Sequence, residues 1–489
     1  MIDKYYNGVI EQVVSGIGNV EHNSILVRYS NDFSIWDLES VNHYKDQSDI
    51  FFTCHEFSYN KIAEAYEPYL GLIRQMFHRY CSGTLEEFME ECDVYKLQRP
   101  VFESYFEKGF CERTEQILID EVEYEQERMR NSIVTMLQKL SEIRPVVIVL
   151  NRFQLASKST MQLSNSLLQV KNKNIGIVLG VNDVQSIPEF AHEEWDAICE
   201  SMDDRNMVYH IGNAGRNMEP DVMDYYSDYE SDDGYRKLNN LVYFLDFDQA
   251  DHHLSKIERR IKFDNFTISE KKHYQLLLLQ IMVSVLQRDI AKALESCEDL
   301  EKLQDQEKEG AFYYNFWMAT SYMYLGKLEE AMIYVQKAKE CGEALGDDFL
   351  VFRAELLKAQ NQMSGWCNIF FCAQDIEISD KLIEKLNAYH YKNHLAHIYI
   401  YAYDNKPEIV AKAYRSEAFL IYFSKGVALA KEIGNEQLIS IAYRKNIMIA
   451  STNGEYEVSL LYSIRTYEAM KDVDSVEGGR IYSGIAYNL

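Results

Sequence analysis

The chain has 489 residues, with 77 acids against 50 Lys and Arg and a formal net charge of −27; that length predicts two to four domains rather than one core, and that charge excludes a general nucleic-acid binder, which needs clustered Lys and Arg to neutralise phosphates. Nine cysteines follow no framework, and the opening MIDKYYNGVIEQVV carries acids and no apolar leader, so the expectation is a cytoplasmic protein with reduced thiols. No apolar run approaches the ~20 residues that span a bilayer, and no membrane partner is expected.

In chain order, residues 3–20 read as a short helix ending at Gly16 or Gly18. SILVRYS (24–30) is a strand, NDFS a turn, IWDLESVNHY a helix with Ser34 as its N-cap, and DIFFTCHEF (49–57) a second strand. A phosphate-binding loop would follow the first strand as GxxxxGK[ST], because bare backbone must close around phosphates and a lysine must reach the terminal group. Between Tyr29 and Trp36 there is neither glycine nor lysine. Gly16 and Gly18 precede their strand and face the wrong way for that task. Cys54 and His55 are adjacent on a strand and point to opposite faces, which argues against a nucleophile–base couple. Glu56 ends that strand at the carboxyl edge, where α/β cores place functional groups.

Residues 61–142 read as mostly helical, with one helix from Glu112 to Ile143 in which Ile117, Val122, Met129, Ile133, Leu137 and Leu140 keep helical spacing and EVEYEQERMR forms a solvated face. Arg144–Asp183 then reads as a βαβ unit. Val146–Leu150 and Ile175–Leu179 are apolar runs without alternation, as buried parallel strands require, and they flank a helix with Met161, Leu163, Leu167 and Leu168. A nucleotide-hydrolysing core would end the first of these strands in an acid that holds magnesium; Asn151 and Arg152 stand there instead. If a residual ligand site survives, Asn31, Asp32, Ser34, Glu56, Asn151 and Asp183 line it. A helix around Trp195 and a strand at Met207–Ile211 follow. EPDVMDYYSDYESDDGY (219–235) is acidic without a base and reads as a solvated linker.

The rest is helical to the end, and NFWMATSYMYLGKLEEAMIYVQKAKE (315–340) is its clearest repeat. Small residues fall where two helices touch: Ala319 with Tyr322, Gly326 at the turn, then Ala331 and Ala338. Residues 435–470 repeat the design with Gly454 at the turn, and 268–304 and 376–433 fit as divergent pairs. Stacked helix pairs present an extended surface whose default use is to hold a protein or peptide. His390, His394 and His397 share one predicted helix at spacings of four and three, a weak candidate for zinc, since zinc sites draw ligands from more than one element. Cys367 and Cys372 read as buried thiols.

The spacing around 315–340 resembles the tetratricopeptide repeat (TPR). The SILVRYS and DIFFTCHEF strands, AYEPYLGLIRQM, VVIVLNRFQLASKSTMQLSNSLL and IGIVLGVND together resemble the NTPase domain of the STAND class of signalling ATPases, which includes TPR-bearing bacterial regulators. That resemblance covers roughly residues 1–215 at the level of pattern. It implies an α/β P-loop-NTPase-like parallel sheet domain, degenerate in its phosphate loop and at Asn151, followed by an all-α TPR-like solenoid. The domains expected are 1–215, an acidic linker 216–240 and a solenoid 241–489. GGRIYSGIAYNL (478–489) reads as the first helix of a further repeat, so the chain is expected to be the N-terminal part of a longer protein. The function expected is a non-catalytic signalling module that binds protein or peptide partners, with no cofactor, no nucleic-acid contact and a capacity for homo-oligomers. The alternatives are the regulatory segment of a diguanylate cyclase (GGDEF) or helix-turn-helix regulator, and a nucleotide switch with an unorthodox site.

Overall fold

Five runs rich in Val, Ile and Phe become strands. In the computed structural model they are β1 Ser24–Tyr29, β2 Phe51–Glu56, β3 Val146–Asn151, β4 Ile175–Asn182 and β5 Val208–Ile211, paired in the order β2-β3-β4-β1-β5 and parallel throughout. The structure describes residues 2–20, 23–30, 34–45, 47, 49–58, 61–170, 172–182, 189–204, 207–211, 229, 231–263, 266–364, 380–401, 417–452 and 454–470. β3 and β4 are buried at every position, which explains their unbroken apolar runs. The expected βαβ unit is present: Ser157 caps the Lys158–Gln169 helix by accepting the Thr160 amide at 3.1 Å, and the helix joins β3 to β4 with Val146 opposite Ile175. The leading helix, Ile2–Gly16, lays Tyr6, Val9, Ile10 and Val13 against Val27, Val147, Val149 and Val178. From β1 the chain crosses to β2 at one edge, and from β4 it crosses to β5 at the other. The carboxyl ends of β1 and β4 therefore flank a topological switch point, the place where open α/β sheets hold ligands.

The chain divides into two compact units, Met1–Arg113 with Glu125–Ile268 and Thr114–Tyr124 with Ser269–Leu489. The sequence reading drew a linker across 216–240, yet Asp232–Tyr243 is a helix capped by Ser231. It and the following Phe247–Phe263 helix belong to the sheet unit. Polar side chains hold them there: Asn240 Oδ1 accepts the Cys111 amide at 2.9 Å, Asn239 donates to the Cys111 carbonyl at 3.0 Å, and the Ser159 amide donates to Asp246 at 2.8 Å. Residues 212–228 lie outside the described residues.

The second unit is helical. Its repeat pair is Gly310–Tyr324 and Leu328–Leu345, and Ala319, Ala331 and Ala338 are each 0% exposed in one core with Phe312, Phe316 and Trp317. Tyr322 is half-buried and stacks on Tyr334, ring centroids 5.5 Å apart. Gly326 and Gly454 sit at their turns with φ of +73° and +74°. The divergent pairs are Glu270–Leu286 with Ile290–Lys302, Asp380–Ala388 with Lys392–Tyr401, and Glu436–Thr452 with Tyr456–Met470. The expectations for Cys367, Cys372 and 478–489 fall outside the described residues.

One expectation is corrected. The helix expected from Glu112 begins only at Val122, after irregular backbone to Leu118 and a short 3-10 turn, Ile119–Glu121. Residues 114–124 belong to the helical unit. The supposed solvated face contains two fully buried carboxylates, Glu121 and Glu125, because each meets a polar partner inside its unit.

Candidate functional site at the carboxyl edge of the sheet

The loop after β1 is where a nucleotide-binding core would wrap phosphate. Here a carboxylate of the same chain occupies the amides and hydroxyl described beyond it. Glu56, the last residue of β2, accepts the Ile35 amide at 2.9 Å and the Ser34 hydroxyl at 3.2 Å, and pairs with Arg152 at 2.9 Å. Ser34 also caps the turn Ile35–Asp37, as expected, by accepting the Trp36 amide. Arg152 follows β3 with φ +53° and ψ +41°, a left-handed conformation that costs a non-glycine residue about 1 kcal/mol. Both partners of this ion pair are mostly buried, with side chains 18% and 11% exposed.

At the switch point the contacts are amide and phenol. Asn151 is fully buried and its Oδ1 accepts the Tyr29 hydroxyl at 2.7 Å. The Asn182 amide donates to Gln154 Oε1 at 3.2 Å. Gly180 packs so closely that a Cβ there would overlap the Tyr6 hydroxyl and lie 2.8 Å from Asn151 Oδ1. Burial, followed by the charges of Tyr29, Cys54 and Glu56, pushes the Tyr6 phenol well above its ordinary range. Burial likewise pushes the Cys54 thiol up to about 12, against the opposing pull of Lys45, so it is a poor nucleophile.

Thus Ser34, Glu56 and Asn151 gather at the carboxyl ends of β1, β2 and β3; Asn31, Asp32 and Asp183 lie outside the described residues. Sequence reasoning missed Tyr6, Tyr29, Gln154 and Glu67. The first two carried a signal, since tyrosines stand in an amphipathic helix and at a strand end. Glu67 gave none: it lies beyond β2, 3.5 Å from His55 Nε2. Burial raises Glu67 to about 7 and lowers His55 to about 4, so the pair is neutral between those values and makes no ion pair there. Away from this edge, a cavity of about 360 Å³ opens beside β2, lined by Trp36, Lys45, Thr53, Cys54, Gln75 and Arg79.

The three histidines do not share a helix. His390 lies in a turn at φ +61°, and the helix begins at Lys392. His394 and His397 on that helix pair with carboxylates instead: His394 Nδ1 with Glu115 at 2.5 Å and His397 Nε2 with Glu121 at 2.7 Å. Among the described residues no cluster of three or more His, Cys, Asp or Glu suits a metal ion, and no helix is long and apolar enough to cross a membrane.

No family model matches the sequence, and no curated protein matches it. Among solved structures, the chain is similar to the crystal structure of a Signal Transduction ATPase with Numerous Domains (STAND) protein with a tetratricopeptide repeat sensor from Pyrococcus horikoshii. The identity is 12% and the TM-score 0.39, over 96% of this chain and 84% of that one. A likeness at that level assigns no residue and no activity.

Proposed function

We propose that the chain is a non-catalytic regulatory module: a nucleotide-free α/β body joined to a helical repeat that binds a protein or peptide partner. The observation that carries the first half is Glu56. Its carboxylate takes the Ile35 amide, the Ser34 hydroxyl and the Arg152 guanidinium, which are the donors an incoming phosphate would need at that loop. Asn151, a neutral amide bonded to Tyr29, offers no carboxylate for magnesium at the end of β3. The close-packed Ala319, Ala331 and Ala338 support the second half, since stacked helix pairs of this kind build extended binding surfaces.

Isothermal titration of Mg²⁺–ATP into the full chain tests the first half. No saturable heat and no phosphate release above the blank are expected, and micromolar binding would overturn it in favour of a nucleotide switch. Panning a random peptide library on the full chain tests the second. Enriched peptides that slow amide exchange within residues 270–470 are expected, and a library without enrichment counts against partner binding.

A further inference from the structure

The helical unit already holds one peptide segment, its own residues 114–124, and the manner of holding is specific. From Glu115 to Glu121 every second residue is buried: Glu115 4%, Ile117 6%, Ile119 6% and Glu121 0% exposed, while Gln116, Leu118 and Asp120 are more open. This period of two is that of an extended chain lying on a surface. Each end is fixed by a carboxylate. Glu115 accepts the amides of Asn393 and His394, the first turn of the Lys392–Tyr401 helix, at 3.2 and 2.6 Å, together with His394 Nδ1. Glu121 accepts Asn393 Nδ2 at 2.6 Å, Asn435 Nδ2 at 2.7 Å and His397 Nε2 at 2.7 Å. Asn435 in turn donates to Asn393 Oδ1 at 2.9 Å, so the receptor groups hold one another in place. Beyond the second carboxylate, Tyr124 accepts the Glu436 amide at 3.1 Å and donates to the Gly434 carbonyl at 3.2 Å.

The receptor is therefore more than a helix N-terminus. It combines a first-turn amide pair, two imidazoles and two carboxamides from separate elements, and His394, 2% exposed, keeps a buried Nε2 with no hydrogen-bond partner among the described residues. Burial alone would raise Glu121, but His397 and the Asn435 and Asn393 amides outweigh it and hold the carboxyl below its usual range. Removing two carboxylates from water is unfavourable unless donors replace the water, and here they do.

We propose that this surface is a receptor for acidic peptides of the pattern Glu-x-Φ-x-Φ-x-Glu, Φ being aliphatic, and that residues 114–124 occupy it in cis until a partner carrying the same pattern displaces them. The inference rests on the partner-binding reading above and names the partner's chemistry. Recognition depends on both carboxylates. A basic or neutral peptide leaves His394, His397, Asn393 and Asn435 without acceptors and is rejected.

The test uses the full chain and two labelled synthetic peptides, TEQILIDEVEY and the same peptide with both receptor-facing glutamates replaced by glutamine. Fluorescence anisotropy is read for the wild-type chain and for Glu115→Gln/Glu121→Gln, whose cis segment is weakened. The variant is expected to bind the acidic peptide at least ten-fold more tightly than wild type does, and at least ten-fold more tightly than it binds the glutamine peptide. A folded variant that binds neither peptide, or both alike, overturns the proposal. Should the variant fail to fold, photocrosslinking of both peptides in excess to the wild-type chain decides: adducts within 392–437 from the acidic peptide alone uphold it, and equal labelling, none, or labelling elsewhere overturns it. If library panning enriches peptides that lack the acidic pair while TEQILIDEVEY fails, this inference falls and partner binding stands.

Discussion

Glu56 and Arg152 show how a single ion pair can be tested. Truncating Glu56 to Ala leaves a guanidinium that is 18% exposed and an Ile35 amide without their acceptor. The expected loss is about 3 kcal/mol of unfolding free energy in urea denaturation, with Glu56→Gln losing less because it still accepts the amide. At Gly180 the constraint is volume: Gly180→Ala should cost about 1–3 kcal/mol, and Tyr6→Phe in the same chain should recover part of it by removing the overlapped hydroxyl. The His55–Glu67 pair makes a pH prediction. Glu67 has its folded pKa raised from 4.5 to about 7, so its contribution is full below pH 4.5 and is lost as pH rises through 7. His55 is depressed from 6.5 to about 4, so its contribution is full above pH 6.5 and is lost as pH falls through 4. In the wild-type chain the two slopes oppose between these limits and nearly cancel. Glu67→Gln should expose the histidine slope, stability falling on acidification below pH 6.5 by at most ~1.4 kcal/mol per unit, less for solvent screening at side chains 23% and 30% exposed. His55→Gln should show the opposite slope; pH-independent stability in either variant would contradict these assignments.

At the scale of elements, the repeat turn and its small residues carry different costs. Ala338→Leu should overpack a core where that residue has 0% exposure, costing about 1–3 kcal/mol. Gly326→Ala should cost about 1 kcal/mol through its φ of +73° with no steric clash. Thermal unfolding of the two variants separates packing from backbone strain. These elements were legible in the sequence because their signals are local. Val146–Asn151 and Ile175–Asn182 are unbroken apolar runs, Ser34 is a cap before a turn, and the Ala and Gly spacing at 319–338 repeats with the helix period. What could not be read is non-local. Glu115 and Glu121 look like surface acids until residues 393–435 are placed beside them. Their partners lie 272–314 positions away, and a period of two lasting only seven residues was absorbed into the helix that follows. Likewise Glu56 was legible as a carboxyl-edge residue, but its capture of the Ile35 amide depends on a loop geometry that no spacing encodes. His390 was misplaced because a left-handed turn can be formed by a residue other than Gly or Asn.

Across the whole chain, the excess of acids dominates the long-range field. A net charge of −27 opposes compaction through self-repulsion, and salt relieves it. The melting temperature is accordingly expected to rise between low salt and about 0.5 M NaCl, where the Debye length shrinks to ~4 Å; a melting temperature that falls would mean that ion pairs such as Glu56–Arg152 outweigh the repulsion. The captured segment also sets a timetable. His394 follows Glu115 by 279 residues, and ribosomes add ~5–20 residues per second, so the segment leaves the tunnel roughly 15–60 s before its receptor exists. During that interval two glutamates and two isoleucines have no native place to go, and any nascent chain that stops short of residue 392 never provides one. Newly made protein is thus open to capture by chaperones at residues 114–124, and completion of the helical unit is the event that withdraws the offer.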